Sequence, residues 1–199
     1  IFCKVIDNYG DAGVCWRLAR QLANEHQQKT CLWIDDLTVL QAIVPQVNVQ
    51  VDEQVVCNVT IMRWAMAMED WPIDCADVVI EAFACRIPDF YIRKMAHKKQ
   101  EPPKWLNLEY LSAEKWAAGC HLLSSPQGGL NRVFFFPGFT ASTGGLLRER
   151  GLIERREVLN IKNVWCQTTG FEWRVDALKI SLFGYEHMPL IEWLSALVK

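Results

Sequence analysis

Two aspartates lie four residues apart in a glycine-containing segment near the start of the chain, Asp7-Asn8-Tyr9-Gly10-Asp11-Ala12-Gly13. A pair of carboxylates in such a loop can hold a cationic substrate, or accept and orient a proton of an incoming nucleophile. Both also have a structural interpretation, because Asp11 could cap a helix beginning near Ala12 and Asp7 could hydrogen-bond the turn. The spacing by itself favours this capping interpretation slightly over catalysis.

The same segment lacks the features of a phosphate-binding loop. It contains no G-x-G-x-x-G motif, and its two negative charges would lie beside the pyrophosphate of a dinucleotide. The Lys-Ser/Thr pair of a P-loop is missing as well. We therefore expect neither NAD nor P-loop chemistry at this segment. Gly10 and Gly13 permit a tight turn and a close approach of the backbone to another ligand.

The flanking sequence predicts the elements that position the aspartates. Residues 1–6 are β-prone, and Val14, Leu18 and Leu22 recur at helical spacing after the turn. Further β-prone runs, such as DVVIEAF at 77–83, alternate with amphipathic stretches. This alternation predicts an α/β fold with a doubly wound, Rossmann-like parallel sheet. The aspartates would then lie at the carboxyl end of a strand, where ligands bind in such sheets.

Composition and charge narrow the class of protein. The 199 residues include 21 Lys+Arg and 23 Asp+Glu, and this net charge of -2 disfavours a nucleic-acid-coating role. No apolar run approaches the roughly 20 residues that a membrane span needs. The eight cysteines form no Cys-x-x-Cys motif, so we expect no metal site. We interpret the thiols as small buried hydrophobes of a protein from the reducing cytoplasm.

The last quarter of the chain differs from the rest. Residues 144–160 are charged and predicted to be helical, and DALKISLFGYE at 176–186 is typical of the first strand of another α/β unit. We expect one Rossmann-like domain over residues 1–157. Residues 158–199 would supply a linker and only the start of a second Rossmann-like domain.

Other polar residues have a structural interpretation at least as good as a functional one. Glu81 ends the predicted strand DVVIEAF, where backbone N–H groups are expected to satisfy its carboxylate. Asp35 and Asp36 follow the second predicted strand, and a solvated turn explains them. Residues 140–145 could form an anion-binding or partner-binding loop, and the start of a capped helix explains them equally well.

Several blocks of the sequence resemble one family of bacterial enzymes. The opening IFCKVIDNYGDAGVCWRLARQL and the long block FFFPGFTASTGGLLRER are similar to those of the EarP family, the protein-arginine rhamnosyltransferases that modify elongation factor P. Further blocks resemble that family in the same order: LWIDDL at 32–37, VVIEAFACRIPD at 78–89, WLNLEYLSAE at 105–114 and SLFGYE at 181–186. The resemblance covers most of the chain.

The resemblance implies a glycosyltransferase of GT-B architecture, in which two Rossmann-like domains face each other across a cleft. Such an enzyme is inverting and metal-independent, and it moves L-rhamnose from dTDP-β-L-rhamnose to one exposed arginine of elongation factor P. Residues 1–157 would be its acceptor-side domain, and residues 158–199 would begin its nucleotide-sugar-binding domain. We accordingly expect a cytoplasmic enzyme with no cofactor, no metal, no nucleic-acid partner and no membrane partner.

The resemblance also implies roles for individual residues. Asp11 is similar to the proposed general base, and Asp7 to a second essential acidic residue. The substrate-binding residues expected on this basis are Asn8, Tyr9, Gly10 and Gly13 in the loop, and Phe183 and Tyr185 in SLFGYE. Because Asp11 is expected on a surface loop, an Asp11→Asn exchange should abolish turnover and leave folding intact.

Two other functions stay open on the sequence alone. The chain could be a non-catalytic α/β module that binds a partner protein, and calorimetry with and without dTDP-rhamnose would distinguish that function. It could also be a nucleotide-sugar transferase of another specificity, which a panel of dTDP and UDP sugars would identify.

Overall fold

The computed structural model describes residues 1–65, 74–98, 101–180, 182 and 188–197. They divide into two compact units, Ile1–Leu152 and a second that begins at Ile153. The elements of the first unit are β1 (Phe2–Cys3), α1 (Asn8–Glu25), β2 (Thr30–Ile34), α2 (Leu37–Ile43), β3 (Glu53–Val56), β4 (Val59–Arg63), β5 (Val78–Ala82), α3 (Asp89–Ala96), β6 (Lys104–Leu108), α4 (Lys115–Cys120), β7 (Ser124–Gln127) and β8 (Leu130–Phe135).

The first unit contains a single described sheet of eight strands in the order β3-β4-β2-β1-β5-β6-β8-β7. Its six inner strands are parallel, and the two edge strands, β3 and β7, pair antiparallel with their neighbours. The chain starts at β1, builds outward through β2 and β4 on one side, and returns to β5, β6 and β8 on the other. This is the strand order of a doubly wound nucleotide-binding sheet, so the predicted Rossmann-like α/β fold is confirmed.

Both edges of the sheet are hairpins with left-handed turn residues. Cys57 and Asn58 connect β3 to β4 with φ of 50° and 63°, and Gly128 and Gly129 connect β7 to β8 with φ of 58° and 80°. Paired positive φ values are what a two-residue hairpin turn requires. The sequence of residues 121–132 predicted a loop, and that prediction is wrong, because the Gly-Gly pair closes a hairpin instead.

The helix α1 covers one half of one sheet face. Its buried side chains recur every three or four residues: Ala12, Cys15, Trp16, Ala19 and Ala23. The sequence predicted a different stripe, through Val14, Leu18 and Leu22. Val14 is exposed and the two leucines are only partly buried, because small residues let α1 approach the sheet along the neighbouring stripe. Val14 and Leu18 are thereby left to line a cavity.

The opposite sheet face carries an aromatic core. The ring of Phe2 in β1 stacks on Trp33 of β2 at 5.4 Å between centroids, and contacts the edge of Tyr91 in α3 at 4.8 Å. Consecutive residues of a strand point to opposite faces, so Phe2 belongs to this core and Cys3 to the core under α1. Burial on both faces fixes β1, which then positions the turn that follows it.

The described secondary structure of the second unit is helical. It comprises α6 (Ile161–Thr169), α7 (Leu190–Leu197) and most of α5 (Leu152–Glu157). Asn160 caps α6 by accepting a hydrogen bond from the Asn163 N–H at 3.2 Å, and Gly170 ends it with φ of 72°. The strand predicted over 176–186 is not formed at 176–180, where the chain makes a turn and then an irregular segment.

The predicted burial of the thiols is only partly confirmed. All eight cysteines are free, and Cys3, Cys15 and Cys85 are buried, but Cys57 and Cys166 are exposed. Cys57 is exposed because it occupies a hairpin turn, where the chain bends away from the core.

Candidate active site

The two aspartates lie at the point where the strand order reverses. β1 pairs with β2 on one side and with β5 on the other. The sheet continues from β2 to β4 in one direction and from β5 to β6 in the opposite direction. The loops after β1 and β5 therefore diverge and leave a crevice at the carboxyl edge of the sheet. Asp7 and Asp11 follow β1 at this crevice, in the position that the strand pattern predicted.

The helix α1 starts earlier than the sequence indicated. It begins at Asn8, with Asp7 in the N-cap position but making no side-chain cap hydrogen bond, and Asp11 lies in its first turn. The interpretation of Asp11 as the cap of a helix near Ala12 is therefore wrong. An acidic residue in the first turn still stabilises the helix, because it lies close to the positive end of the helix dipole.

Asp11 is completely buried rather than on a surface loop. Its Oδ2 accepts hydrogen bonds from the backbone N–H groups of Ile6 and Asp7, both at 2.9 Å. Its Oδ1 accepts one from the hydroxyl of Tyr110, also at 2.9 Å. The carboxylate thus fixes the turn between β1 and α1 and joins it to a residue 99 positions further along the chain.

Tyr110 is a residue of the site that sequence reasoning missed. It follows the end of β6, and its ring stacks on Phe83, just beyond β5, at 4.1 Å between centroids and an interplanar angle of 9°. Burial, together with the hydrogen bond to Asp11, raises the pKa of the Tyr110 hydroxyl, so it stays protonated and donates. The signal was available, because the parallel strands β1, β5 and β6 all end at the same edge of the sheet. We call Asp7, Asp11, Phe83 and Tyr110 the acidic corner.

The backbone of Phe83 is in the left-handed region, with φ of 55°, and so is that of Ala84, with φ of 50°. Such a conformation is costly for residues with a side chain and is often found at functional sites. The Phe83 N–H donates to the Leu108 carbonyl at 2.7 Å, which ties the end of β5 to the end of β6. The strained turn and this bond hold the Phe83 ring where Tyr110 stacks on it.

Asp7 differs from Asp11 because it is exposed. A Cβ at Gly10 would lie 3.3 Å from Asp7 Oδ2, so this glycine keeps the space beside the carboxylate open. A Cβ at Gly13 would only make an ordinary contact of 3.8 Å with Ile43, and Gly13 does not line the cavity described below. Tyr9 is 60% exposed at the start of α1.

The remaining predicted site residues are less informative. Asn8 is the first residue of α1. Phe183 and Tyr185 lie outside the described residues, so their expected donor contacts stay predictions.

A cavity of about 800 Å³ opens from the acidic corner and runs along α1. That volume is within the range of small-molecule sites. At one end it is lined by Asp7, Gly10, Asp11, Glu109 and Tyr110, and elsewhere it is mainly apolar, with walls from α1, β5, β6, β8 and the chain around Leu146. Burial raises the pKa of Glu109, whose Oε1 accepts a hydrogen bond from Asn107 Nδ2 at 2.5 Å.

The far wall of the cavity is formed by residues 144–148, and residues 144–150 contact α1 without forming a helix. Arg17 binds both carboxylate oxygens of Glu149 at 2.7 Å. The side chain of Gln21 donates to the Arg148 carbonyl at 2.7 Å, and the Arg150 N–H donates to Glu25 at 2.8 Å. Of the two interpretations of residues 140–145, the capped helix start is wrong, because the chain stays irregular after them and α5 begins only at Leu152.

Three other carboxylates have structural roles. Glu81 is buried, accepts the Arg86 N–H at 3.0 Å and pairs with Arg132 at 3.3 Å, which confirms it as a satisfied strand-end carboxylate. Asp36 caps α2, and Asp35 accepts the Val5 N–H at 2.8 Å. Among the residues described, no group of three or more His, Cys, Asp or Glu side chains could hold a metal ion. No helix within them is long and apolar enough to cross a membrane.

The fold and site define a Rossmann-like α/β domain with an acidic site at the topological switch point. Sequence comparison then assigns the family. The family described as elongation-factor P (EF-P) rhamnosyltransferase EarP matches residues 1–199, and the chain belongs to that family.

Curated relatives agree with this assignment. The chain is 49% identical over 203 residues to the protein-arginine rhamnosyltransferase of Pseudomonas putida, covering 99% of this chain and 53% of that protein. It is 46% identical over 203 residues to the Pseudomonas aeruginosa protein of the same name, with the same coverage. For the Shewanella oneidensis protein of that name the identity is 42% over 205 residues, covering 94% of this chain and 49% of the relative. The chain thus spans about half the length of these relatives.

Proposed function

We propose that this chain acts in protein-arginine rhamnosylation, as part of an inverting GT-B glycosyltransferase that uses dTDP-β-L-rhamnose and modifies an arginine of elongation factor P. The observation that carries the proposal is the pair Asp7 and Asp11 at the switch point of a chain whose relatives, over nearly its whole length, are named protein-arginine rhamnosyltransferases. The site of action would be the cytoplasm, and neither metal nor cofactor would take part.

The acceptor sets the chemical problem. A guanidinium is cationic at physiological pH and its electron pair is delocalised, so it is a poor nucleophile. In the proposed step a bond forms between an arginine nitrogen and the anomeric carbon, while the bond from that carbon to the phosphate oxygen breaks and its electron pair leaves with dTDP. The guanidinium loses one proton as the new bond forms, so a carboxylate must be in place to receive it.

The acidic corner supports a division of labour between its two carboxylates. Asp11 is buried and held by three donors, which gives the fixed orientation that a general base needs. Asp7 is exposed beside Gly10, where it can pair with the incoming guanidinium and raise its local concentration. We assign the proton transfer to Asp11 and the binding of the cation to Asp7.

Donor binding belongs to the proposal through the other predicted residues. Asn8, Tyr9 and Gly10 begin α1, and the positive end of its helix dipole suits an oxygen-rich ligand. Phe183 and Tyr185 are proposed to contact the donor, as the family resemblance implies. Residues 158–199 would be the linker and the start of the nucleotide-sugar-binding domain.

Intact-mass spectrometry of elongation factor P tests the proposal. The chain is assayed as it stands, and also as a fusion enzyme in which it replaces the segment that it matches in the Pseudomonas putida relative. With dTDP-rhamnose we expect the mass of elongation factor P to increase by one deoxyhexose. An acceptor whose target arginine is replaced by lysine should show no increase. If both forms fold, as judged by cooperative melting, and neither modifies the acceptor, the proposed function is wrong.

A further inference from the structure

The hydrogen bonds of Asp11 leave it with little freedom. A carboxylate offers about four acceptor positions, two on each oxygen. Oδ2 takes two backbone N–H groups, and Oδ1 takes the Tyr110 hydroxyl, all at 2.9 Å. Of the positions on Asp11, the described residues therefore leave one, on Oδ1 next to the tyrosine hydroxyl. An incoming donor has to use that position.

The direction of the remaining position depends on Tyr110. The two backbone donors lie in the turn between β1 and α1, which any residue at position 11 with a suitable oxygen could bridge. The Tyr110 hydroxyl comes from the segment after β6 and donates to Oδ1. Tyr110 lines the cavity together with Asp7 and Asp11, so the contact between Tyr110 and Asp11 borders that cavity.

The ring of Tyr110 is held in place by Phe83. Its ring stacks on Phe83, whose left-handed backbone is anchored to Leu108 by a 2.7 Å hydrogen bond. Offset or parallel ring contacts of this kind fix orientation as well as adding contact energy. Tyr110 nevertheless remains 49% exposed, so its hydroxyl group is placed by the stack and not by burial in the core.

We propose that Tyr110 is a positioning residue, whose hydroxyl orients the Asp11 carboxylate so that one acceptor position of Oδ1 meets the acceptor substrate. The hydrogen bond between Tyr110 and Asp11 is seen in the structure, and its effect on sugar transfer rests on the proposed function. Tyr110 transfers no proton in this scheme. It acts through Asp11, and Phe83 supports it.

Tyr110→Phe is the direct test, because it keeps the ring stack and removes only the hydroxyl. Tyr91→Phe is the matched control. This variant also removes a hydrogen-bonded hydroxyl, because the Tyr91 hydroxyl accepts the Ala76 N–H at 3.3 Å. Tyr91, however, packs on the opposite face of the sheet. In the fusion enzyme we expect Tyr110→Phe to lower kcat about tenfold or more while KM for elongation factor P changes less than about twofold. Tyr91→Phe should leave both constants unchanged.

A second readout needs no activity. In the chain labelled with ¹³C at aspartate Cγ, the Asp11 resonance is assigned by its loss in Asp11→Asn. We expect it to shift in Tyr110→Phe and to stay in place in Tyr91→Phe. An unshifted Asp11 resonance, or an active fusion enzyme whose kcat is unaffected by Tyr110→Phe, overturns the inference. A wild-type fusion enzyme that folds and transfers no sugar overturns the proposed function instead, and the resonance alone then decides the role of Tyr110.

Discussion

Two of the contacts that join helix α1 to distant parts of the chain differ in kind. At its start, buried Asp11 binds Tyr110 across 99 positions, and at its middle, Arg17 binds Glu149 across 132 positions. The first contact is made by a carboxylate with no exposed surface. The second joins a buried carboxylate to an arginine side chain that is 42% exposed.

This difference suggests a functional role for the acidic corner and a structural role for the Arg17–Glu149 pair. The Arg17–Glu149 pair neutralises its own charge, and it holds residues 144–150 over the cavity. The acidic corner has two carboxylates, and the three groups that donate to Asp11 are neutral N–H and O–H groups. Two carboxylates in one corner are suited to a cationic ligand, whereas the Arg17–Glu149 pair needs none. Changes at the corner should therefore affect transfer most, and changes at residues 144–150 should affect stability.

Asp11→Asn should have the largest effect. We expect rhamnosyl transfer by the fusion enzyme to fall about 10³-fold or more, because the amide cannot receive the proton. The structure also changes the expectation that folding stays intact. An asparagine keeps its oxygen toward the backbone donors only by turning its NH₂ group toward Tyr110, and three donors lose a charged acceptor. Thermal melts should show a loss of about 1–2 kcal/mol. A variant with full stability and full activity would show that Asp11 neither transfers the proton nor stabilises the turn.

Asp7→Asn should separate binding from folding. Its carboxylate is exposed, so the unfolding free energy should change by less than about 0.5 kcal/mol. Transfer should fall about 10-fold to 100-fold, mainly through KM for elongation factor P, because the cation loses a charged partner. Steady-state kinetics at several acceptor concentrations check this. A loss confined to kcat would assign the proton transfer to Asp7 and contradict the proposed division between the two aspartates.

The sequence predicted the sheet far better than the corner. Strands and the first turn follow from local patterns, and the parallel sheet follows from the alternation of strands and helices. The contact between Asp11 and Tyr110 joins residues 99 positions apart, and no local periodicity encodes it. The early start of α1 was missed for a related reason. Asp11 bonds backward to residues 6 and 7, so the glycine-containing turn is absorbed into the helix.

Gly144→Ala tests the stability side of the comparison. A Cβ at this position would lie 2.2 Å from an atom of the Phe135 ring at the end of β8, so the ring or residues 144–150 must move. Overpacking of this kind costs about 1–3 kcal/mol. Gly119→Ala is the matched control, since no atom lies within 4 Å of its Cβ position in α4 and alanine favours a helix. Chemical denaturation should show opposite signs for the two variants, and equal signs would contradict this packing.

Glu149→Gln should have the smallest effect and a distinctive pH dependence. The hydrogen bonds from Arg17 hold the pKa of Glu149 at about 2, below its ordinary value of 4.5. A carboxyl whose pKa is lowered in the folded state stabilises the protein above the unfolded pKa, and this contribution is lost as the pH falls. At pH 7 the variant should be less stable by about 1 kcal/mol, because Arg17 is partly exposed and glutamine keeps one acceptor. The difference from wild type should shrink between pH 4.5 and pH 2.

Glu157→Gln, at an exposed position of α5, serves as the control and should show no such convergence. A Glu149→Gln difference that is constant over this pH range would mean that Arg17 does not bind the ionised carboxylate in the folded protein.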